Sequence, residues 1–299
     1  RRFEMPGNPG TKERYSHDLM TERALAFIEE SKNQPFFFYA AYTIPHFSHQ
    51  SESPTKFAIP SDAPYSNRDW DPKAKNYAAM ITRLDADVGR ILRLIDELGL
   101  AENTLIIFAS DNGAYGGAPK RFQSSGPLRG YKRALYEGGI RVPFIARWRG
   151  RIPVGRVSQE IIAFWDLMPT FAELAGADIP HEIDGRSALD ALLGGKRQAP
   201  HEYLYWDYGH CRAKFAQAVR WNDWKGVRLG RGNAIELYDL GTDLGETTDI
   251  AGLHPKVVER IERIMTTAPV PSQRYPVGQT YRGESKWVKQ NVRNSEASD

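Results

Sequence analysis

Short apolar runs alternate with longer amphipathic stretches along the first half of the chain. Residues 36–42, 104–109 and 142–148 are largely apolar runs of strand length. Such runs are typical of strands that are buried on both faces of a parallel sheet. Residues 16–31 and 77–98 instead carry apolar side chains at three- and four-residue spacing, which predicts helices. The alternation predicts an α/β fold with a mostly parallel sheet flanked by helices.

Residues that favour helix caps mark the ends of these helices. Ser16 is placed to act as the N-cap of the first helix, and Gly99 stands where a C-terminal glycine cap of the second belongs. A further helix is predicted over about 164–174, with Gly176 at its end. Residues 47–72 are rich in Ser, Pro and Asp, which predicts a long surface loop of the kind that borders binding sites.

The pattern changes beyond about residue 198. Short apolar strands separated by turn residues are predicted at 203–206, 217–220, 225–229 and 236–240. A helix is predicted over 255–265, and this combination is typical of a small α+β subdomain with an antiparallel sheet. We therefore divide the chain into a large domain at 1–197, a small subdomain at 198–268 and a polar tail at 269–299.

Composition narrows the classes of function. The chain has 299 residues, and 40 Lys and Arg against 37 Asp and Glu give a net charge of +3. A net charge this small over 299 residues does not indicate a nucleic-acid-binding protein. No apolar run approaches the roughly 18 residues that a membrane-spanning helix needs, so no membrane partner is expected. Cys211 is the single cysteine and cannot form a disulfide within the chain.

Polar residues stand at the ends of two predicted strands, where ligands bind in open α/β sheets. His46 follows the first run, Asp111 and Asn112 follow the second, and Lys132 lies in the loop before the third. Asp and Asn oxygens suit Ca²⁺ or Mg²⁺, but two ligands fall short of the about 6–8 that Ca²⁺ takes. These residues can also have no ligand. Asp-Asn-Gly is a common turn sequence, and His and Lys side chains in loops are commonly solvated.

The order of these motifs resembles the type I sulfatases, which are formylglycine-dependent members of the alkaline-phosphatase-like superfamily. The matching segments, in chain order, are 35–39 with 45–46, 110–113, 128–132, 136–143, 184–187, 223–225, 236–240 and 246–249. The resemblance covers nearly all of residues 15–265. It implies an alkaline-phosphatase-like α/β sheet, N-terminally truncated in this chain, followed by the small α+β subdomain.

The resemblance also implies roles for four residues. Asp111 and Asn112 match two metal ligands of the family, whose metal is usually Ca²⁺, with Mg²⁺ as an alternative. Lys132 matches the lysine that reaches the sulfate-ester oxygens and the nucleophile, and His46 matches the histidine that hydrogen-bonds the sulfate group. Such groups stabilise a transition state in which charge grows on these oxygens. The implied substrate is a sulfated small molecule or glycan, hydrolysed in the periplasm or outside the cell.

The nucleophile of this family is a formylglycine made from Cys or Ser in a Cys/Ser-x-Pro-x-Arg motif. Cys211 is followed by Arg212 and Ala213, with no proline two residues on, and we expect no serine-type match to the motif either. We therefore expect no nucleophile in this chain and place it, with the other metal aspartates, upstream of Arg1. On this interpretation the chain alone is inactive, and it is poorly soluble because its apolar strands are exposed.

Two other functions stay open at this point. A phosphate or phosphonate monoester hydrolase of the same superfamily would share the metal-and-lysine framework. A non-catalytic relative would use the scaffold only to bind an anionic glycan. Specificity for the leaving group is expected in the loop 47–72 and in residues 207–212, and Glu137 and Arg141 are expected to brace the loop of Lys132.

Overall fold

The computed structural model describes residues 14–48, 53, 55–179, 181–197, 199–208 and 215–270. The chain forms two compact units. The first comprises residues 1–108, 117–124 and 144–157, and the second comprises 109–116, 125–143 and 158–299. The domain limits at 197 and 268 stay a prediction.

Two long helices form the scaffold of the first unit, as predicted. Helix α1 spans Ser16–Ser31 and helix α2 spans Pro72–Glu97. The side chain of Asp71 caps α2 by accepting a hydrogen bond of 3.0 Å from the backbone of Ala74. Gly99 follows α2 with a φ of 69°, the left-handed conformation that the predicted glycine cap requires.

The predicted N-cap of α1 was wrong by one residue. Ser16 is the first residue of the helix, and the cap position is taken by Tyr15, which makes no side-chain cap hydrogen bond. The hydroxyl of Tyr15 instead donates to the carbonyl of Ala58 at 3.0 Å. This tertiary contact fixes the chain at the start of α1, and a capping side chain is therefore not needed there.

The apolar run 36–42 does not form the predicted strand. It pairs with no strand in the described part of the chain, and the side chains of Phe37 and Tyr39 are 72% and 78% exposed. A strand of a parallel sheet is buried only where neighbouring strands and helices cover it. Phe27 of α1 contacts Phe36 and Phe38, but no neighbouring strand in the described part of the chain pairs with the run. The prediction of a strand buried on both faces was therefore wrong.

The other two apolar runs form a two-stranded sheet. Strand β1 spans Ile106–Ala109 and its neighbour β2 spans Phe144–Arg147. Ile106 packs against a buried cluster that contains Ile28 of α1 and Ile95 of α2. The helices of the first unit therefore cover β1, as the alternation of strands and helices predicted.

Shorter helices connect these elements to the second half of the chain. Helix α3 spans Glu137–Ile140, α4 spans Leu167–Ala175 and α5 spans Leu189–Leu192. Single 3₁₀ turns lie at Ala101–Asn103, Lys120–Phe122, Phe164–Asp166 and Ala251–Leu253. The described helices include none that combines the length and the apolar character needed to cross a membrane.

A four-stranded antiparallel sheet lies in the second unit, as predicted. Its strands, in spatial order, are β3 at Leu204–Asp207, β4 at Ala216–Trp221, β5 at Trp224–Leu229 and β6 at Glu236–Asp239. Helix α6, Pro255–Thr267, packs Ile261 against Val219 and Leu237 on one face of this sheet. Alternate residues on the other face, including Ala218 and Val227, contact Leu135 and Tyr136. The segment that precedes α3 therefore packs directly on the sheet.

Asp166, just before α4, carries a fully buried carboxylate with four partners. It accepts hydrogen bonds of 2.9 Å from the backbones of Ala163 and Arg186, and it lies 3.1 Å from Arg197 and 2.6 Å from His201. Burial acts to raise the pKa of Asp166. The bonds from Arg186 and Ala163, together with His201, outweigh burial and hold this pKa below its ordinary value.

Candidate active site

His46 lies in the first unit, directly after a cis peptide between Ile44 and Pro45. Its ring stacks on Phe47 at a centroid distance of 4.7 Å. Nδ1 of His46 lies 2.6 Å from the carbonyl oxygen of Phe47, and because a carbonyl only accepts, Nδ1 carries a proton. Nε2 is therefore the nitrogen left for an anion, and it can donate to one only when the imidazole is doubly protonated.

The segment that carries His46 is also anchored to α1. The hydroxyl of Tyr42 lies 3.1 Å from the hydroxyl of Thr21, which donates to the buried Asp87 of α2 at 3.1 Å. His17 donates to the same carboxylate across 2.9 Å, and burial lowers the pKa of His17, which favours its neutral form. The polar interior of the first unit thus fixes the chain four residues before His46.

Asp111 and Asn112 lie in a tight turn that begins one residue after β1. The hydroxyl of Ser110 donates to the carbonyl of Asn112 at 2.9 Å, and Nδ2 of Asn112 donates to the carbonyl of Gly113 at 3.1 Å. Since the amide nitrogen of Asn112 is engaged in this way, its Oδ1 is the atom that can bind a cation. The carboxylate of Asp111 is exposed.

Asp111 and Asn112 supply oxygens of the type that a hard divalent cation binds, but they supply too few of them. One carboxylate and one amide oxygen are ligands that Ca²⁺ and Mg²⁺ prefer, yet Ca²⁺ takes about 6–8 oxygens. Within the described ranges, no three His, Cys, Asp or Glu side chains come together as a metal site. Asp111 and Asn112 can therefore hold a metal only with further ligands.

The loop of Lys132 is closed onto this turn by two backbone hydrogen bonds. The amide of Lys132 donates to the carbonyl of Ala114 at 2.8 Å, and the amide of Gly113 donates to the carbonyl of Gly139 at 3.0 Å. The side chain of Lys132 is half-buried, and its Nζ has no hydrogen bond or ion pair with any residue that the structure describes. An ammonium group that has no partner among the described residues is suited to an anionic substrate.

The structure thus brings together three of the four predicted site residues. Asp111, Asn112 and Lys132 lie on segments that contact each other within the second unit, whereas His46 belongs to the first unit. Cys211 and residues 209–212 of the predicted specificity segment lie outside the described residues.

Two glycines permit the close approach of the turn to the loop. A Cβ atom on Gly113 would lie 1.9 Å from the carbonyl oxygen of Gly138, and one on Gly139 would lie 2.2 Å from that of Ala134. Because the obstructing atoms belong to the backbone, the loop would have to move to accept either side chain. Glycine at both positions is therefore a condition for the geometry of the site.

We expect Gly113→Ala to lower the free energy of unfolding by about 1–3 kcal/mol, the usual cost of overpacking. Urea denaturation of the variant measures this loss. Gly252→Ala is the matched control, because a Cβ there meets no atom within 4 Å. Equal free energies of unfolding for the two variants would show that the loop moves to accept the Cβ atom without losing stability.

Glu137, the first residue of α3, connects the Lys132 loop to a buried ionic cluster. Its Oε1 lies 2.7 Å from Nζ of Lys225, and its Oε2 lies 3.4 Å from Arg220 and 3.8 Å from Arg141. Its backbone amide donates to Oε2 of Glu246 at 2.7 Å. Glu137 therefore ties down the loop as predicted, but its nearest cation is Lys225, to which the sequence pattern assigns no role, and not Arg141.

One segment matches the letters of the Cys/Ser-x-Pro-x-Arg motif, at residues 125–129, and the expectation of no such motif overlooked it. Ser125 donates to the carbonyl of Gly130 at 3.1 Å. Arg129 donates to the hydroxyl of Tyr238 and to the carbonyl of Glu246, each at 2.8 Å. Both ends of the match are therefore engaged in holding the Lys132 loop.

Comparison with known proteins identifies sulfatases in both halves of the chain. The model of the family described as Sulfatase matches residues 1–177, and that of "N-sulphoglucosamine sulphohydrolase, C-terminal" matches residues 130–267. Arylsulfatase A of Homo sapiens is 33% identical over 290 residues, which cover 87% of this chain and 53% of that protein. N-acetylgalactosamine-6-sulfatase of Canis lupus familiaris is 31% identical over 285 residues, covering 92% and 50%. The chain spans about half the length of these relatives.

A solved structure confirms the predicted fold class. The crystal structure of Ps i-CgsB in complex with k-i-k-neocarrahexaose matches with a TM-score of 0.75 and 26% sequence identity. The match covers 93% of this chain and 59% of the other. The likeness therefore extends over nearly the whole chain and supports the α/β fold class predicted from the sequence.

Proposed function

Since this chain belongs to the sulfatase family, we propose that it supplies part of the active site of a sulfate-ester hydrolase. The observation that carries the proposal is the closure of the Lys132 loop onto the Asp111–Asn112 turn by backbone hydrogen bonds. This closure joins the turn that carries two hard oxygen donors to the loop that carries an ammonium group without a partner in the described chain.

The chemistry of these groups suits the hydrolysis of a sulfate ester. Breaking the bond between sulfur and the ester oxygen moves negative charge onto the leaving oxygen and the sulfate oxygens. Lys132 would donate hydrogen bonds to these oxygens. The role of His46 as the histidine that hydrogen-bonds the sulfate group stays a prediction from the resemblance. Ca²⁺, held in part by Asp111 and Asn112, supplies further positive charge at the sulfate group when bound.

The substrate that we propose is a sulfated small molecule or glycan. One relative bears the name N-acetylgalactosamine-6-sulfatase, and the structural relative Ps i-CgsB was solved with k-i-k-neocarrahexaose. These two names support a sulfated sugar, whereas other relatives bear the name steryl-sulfatase, so the proposal keeps both kinds of sulfate ester.

We place the formylglycine outside the 299 residues and propose that this chain alone does not turn over substrate. The engagement of Ser125 with Gly130 supports a structural role for the serine-type match. Peptide mass spectrometry of the complete protein that contains this chain tests this placement. The peptide 122–129 should keep the mass of unmodified serine, and a loss of two hydrogens from it would place a formylglycine at Ser125.

Competing substrates test the proposed reaction. The complete protein should hydrolyse 4-nitrophenyl sulfate with a kcat/KM at least about 100-fold above that for a phenyl phosphonate monoester or a phosphate monoester. The opposite preference would assign the site to a phosphate or phosphonate hydrolase. Binding of a sulfated oligosaccharide without any turnover would identify a non-catalytic glycan-binding protein.

A further inference from the structure

The antiparallel sheet of the second unit carries charged side chains into its interior next to α3. Lys225, the second residue of β5, is fully buried, and its Nζ lies 2.7 Å from Glu137 and 3.6 Å from Glu246. Glu246 is fully buried as well. Lysine and glutamate are almost never fully buried unless they are paired, so this cluster is a specific arrangement and not a solvated surface.

The charges of this cluster balance. Arg220, paired with Lys225 in the register of β4 and β5, is the second cation, and it lies 3.4 Å from Glu137. Two buried carboxylates thus face two cations, with the more exposed Arg141 at the rim. Burial raises the pKa of Glu246, and Lys225 opposes that rise. Removal of Lys225 would leave a carboxylate without a compensating charge, which is costly in a protein interior.

Hydrogen bonds lead from this cluster to the turn of the candidate metal ligands. Glu246 accepts from the amide of Glu137, and Gly139, two residues further along α3, accepts from the amide of Gly113. Gly113 directly follows Asn112 in the chain. The position of the turn therefore depends on where Glu246 and Lys225 hold α3.

Other bonds lead from the cluster to the loop of Lys132. The amide of Gly138 donates to the carbonyl of Arg129 at 2.7 Å, and the guanidinium of Arg129 donates to the carbonyl of Glu246. Arg133, next to Lys132, has a φ of 81°, a left-handed conformation that is strained for a non-glycine residue. Such strain persists only where the surrounding structure imposes it.

We propose that Lys225 and Glu246 are positioning residues, whose paired charges fix α3 and thereby the mutual placement of Lys132 and the Asp111–Asn112 turn. The small antiparallel sheet is then a functional part of the active site. The effect on catalysis rests on the proposed function, whereas the effect on the position of the two segments does not.

Hydrogen exchange of backbone amides in the complete protein tests this proposal. Lys225→Met, which keeps the length of the side chain and removes its charge, should speed exchange at Gly113, Lys132 and Glu137 by at least about 10-fold. Amides of β6 should change by less than about threefold. The matched control is Arg228→Gln on the same strand, because Arg228 pairs with the exposed Glu262 at 2.6 Å. This control should leave the amides of the site unchanged.

A double variant separates charge from packing. Lys225→Met with Glu246→Gln removes one charge of each sign and leaves Glu137 paired with Arg220. If charge balance positions α3, exchange at Gly113 should be at least about threefold slower in the double variant than in Lys225→Met. Faster exchange in the double variant than in the single one would overturn the proposal, because that result indicates a packing role.

Two further measurements complete the test. If Lys225→Met does not fold, Glu246→Gln alone, which keeps an acceptor oxygen, should show the same selective exchange. Equal acceleration in β6 and at the site would mean general destabilisation and would overturn the proposal.

In a protein active on aryl sulfates, kcat should fall in Lys225→Met while KM changes less than about threefold. A protein without sulfatase activity would refute the proposed function and leave the exchange test intact.

Discussion

Replacement of Lys132 by alanine is expected to lower kcat for an aryl sulfate about 100- to 1,000-fold in the complete protein, the usual effect of removing a group that stabilises charge in a transition state. The ammonium group has no partner in the described chain, so its interactions are available to the ester oxygens. For the same reason, thermal denaturation should show unchanged stability. Steady-state kinetics and a thermal melt measure the two effects.

Lys120→Ala is the matched control for Lys132→Ala. Lys120 begins the 3₁₀ turn Lys120–Phe122 and is exposed, and its removal changes the net charge by the same amount. This variant should retain the activity of the unmodified protein. A kcat within about threefold of the original in Lys132→Ala, or the same loss in both variants, would remove Lys132 from the reaction.

Replacement of Asp166 by asparagine is expected to lower the free energy of unfolding at pH 7 by about 3–5 kcal/mol, the usual cost of breaking a buried ion pair by removing one partner. The side chain of Arg197 is 2% exposed, and it would be left without its carboxylate partner at 3.1 Å. Asp178→Asn is the control, since Asp178 is exposed. Urea denaturation at pH 7 compares the two variants.

The same residue makes stability depend on pH in acid. Because the pKa of Asp166 is held below its ordinary value of about 3.9, its contribution to stability is complete above that pH. The contribution is lost as the pH falls through the lower pKa of the folded state. The original protein should therefore lose stability more steeply below about pH 4 than Asp166→Asn does. Parallel curves for the two proteins would contradict this assignment.

The sequence pattern predicted those elements whose structure is decided locally. Helices α1 and α2 and the four strands of the antiparallel sheet carry their periodicity and turn residues within their own segments. The run 36–42 shows the limit of such reasoning. An apolar run predicts burial, but whether other segments cover it depends on the rest of the fold, and Phe37 is 72% exposed.

The candidate site was predictable to the extent that it follows from motifs. Asp111, Asn112 and Lys132 stand at the ends of apolar runs and in a recognisable order along the chain. Lys225 and Glu246 lie in matching segments, but the sequence assigns them no role, because their importance arises from pairing with Glu137 across 88 and 109 residues. These charges are brought together only by the register of β5, which carries Lys225, and by the segment after β6, which carries Glu246.

A double-mutant cycle between Asp111 and Lys132 tests most directly whether the turn and the loop form one sulfate-ester site. The measured quantity is kcat/KM for 4-nitrophenyl sulfate in Asp111→Ala, Lys132→Ala and the combined variant of the complete protein. We predict that each single change causes a large loss and that the combined loss is far smaller than the product of the two, because both groups act on one transition state. Losses that multiply, or an Asp111→Ala variant with full activity, would contradict the account.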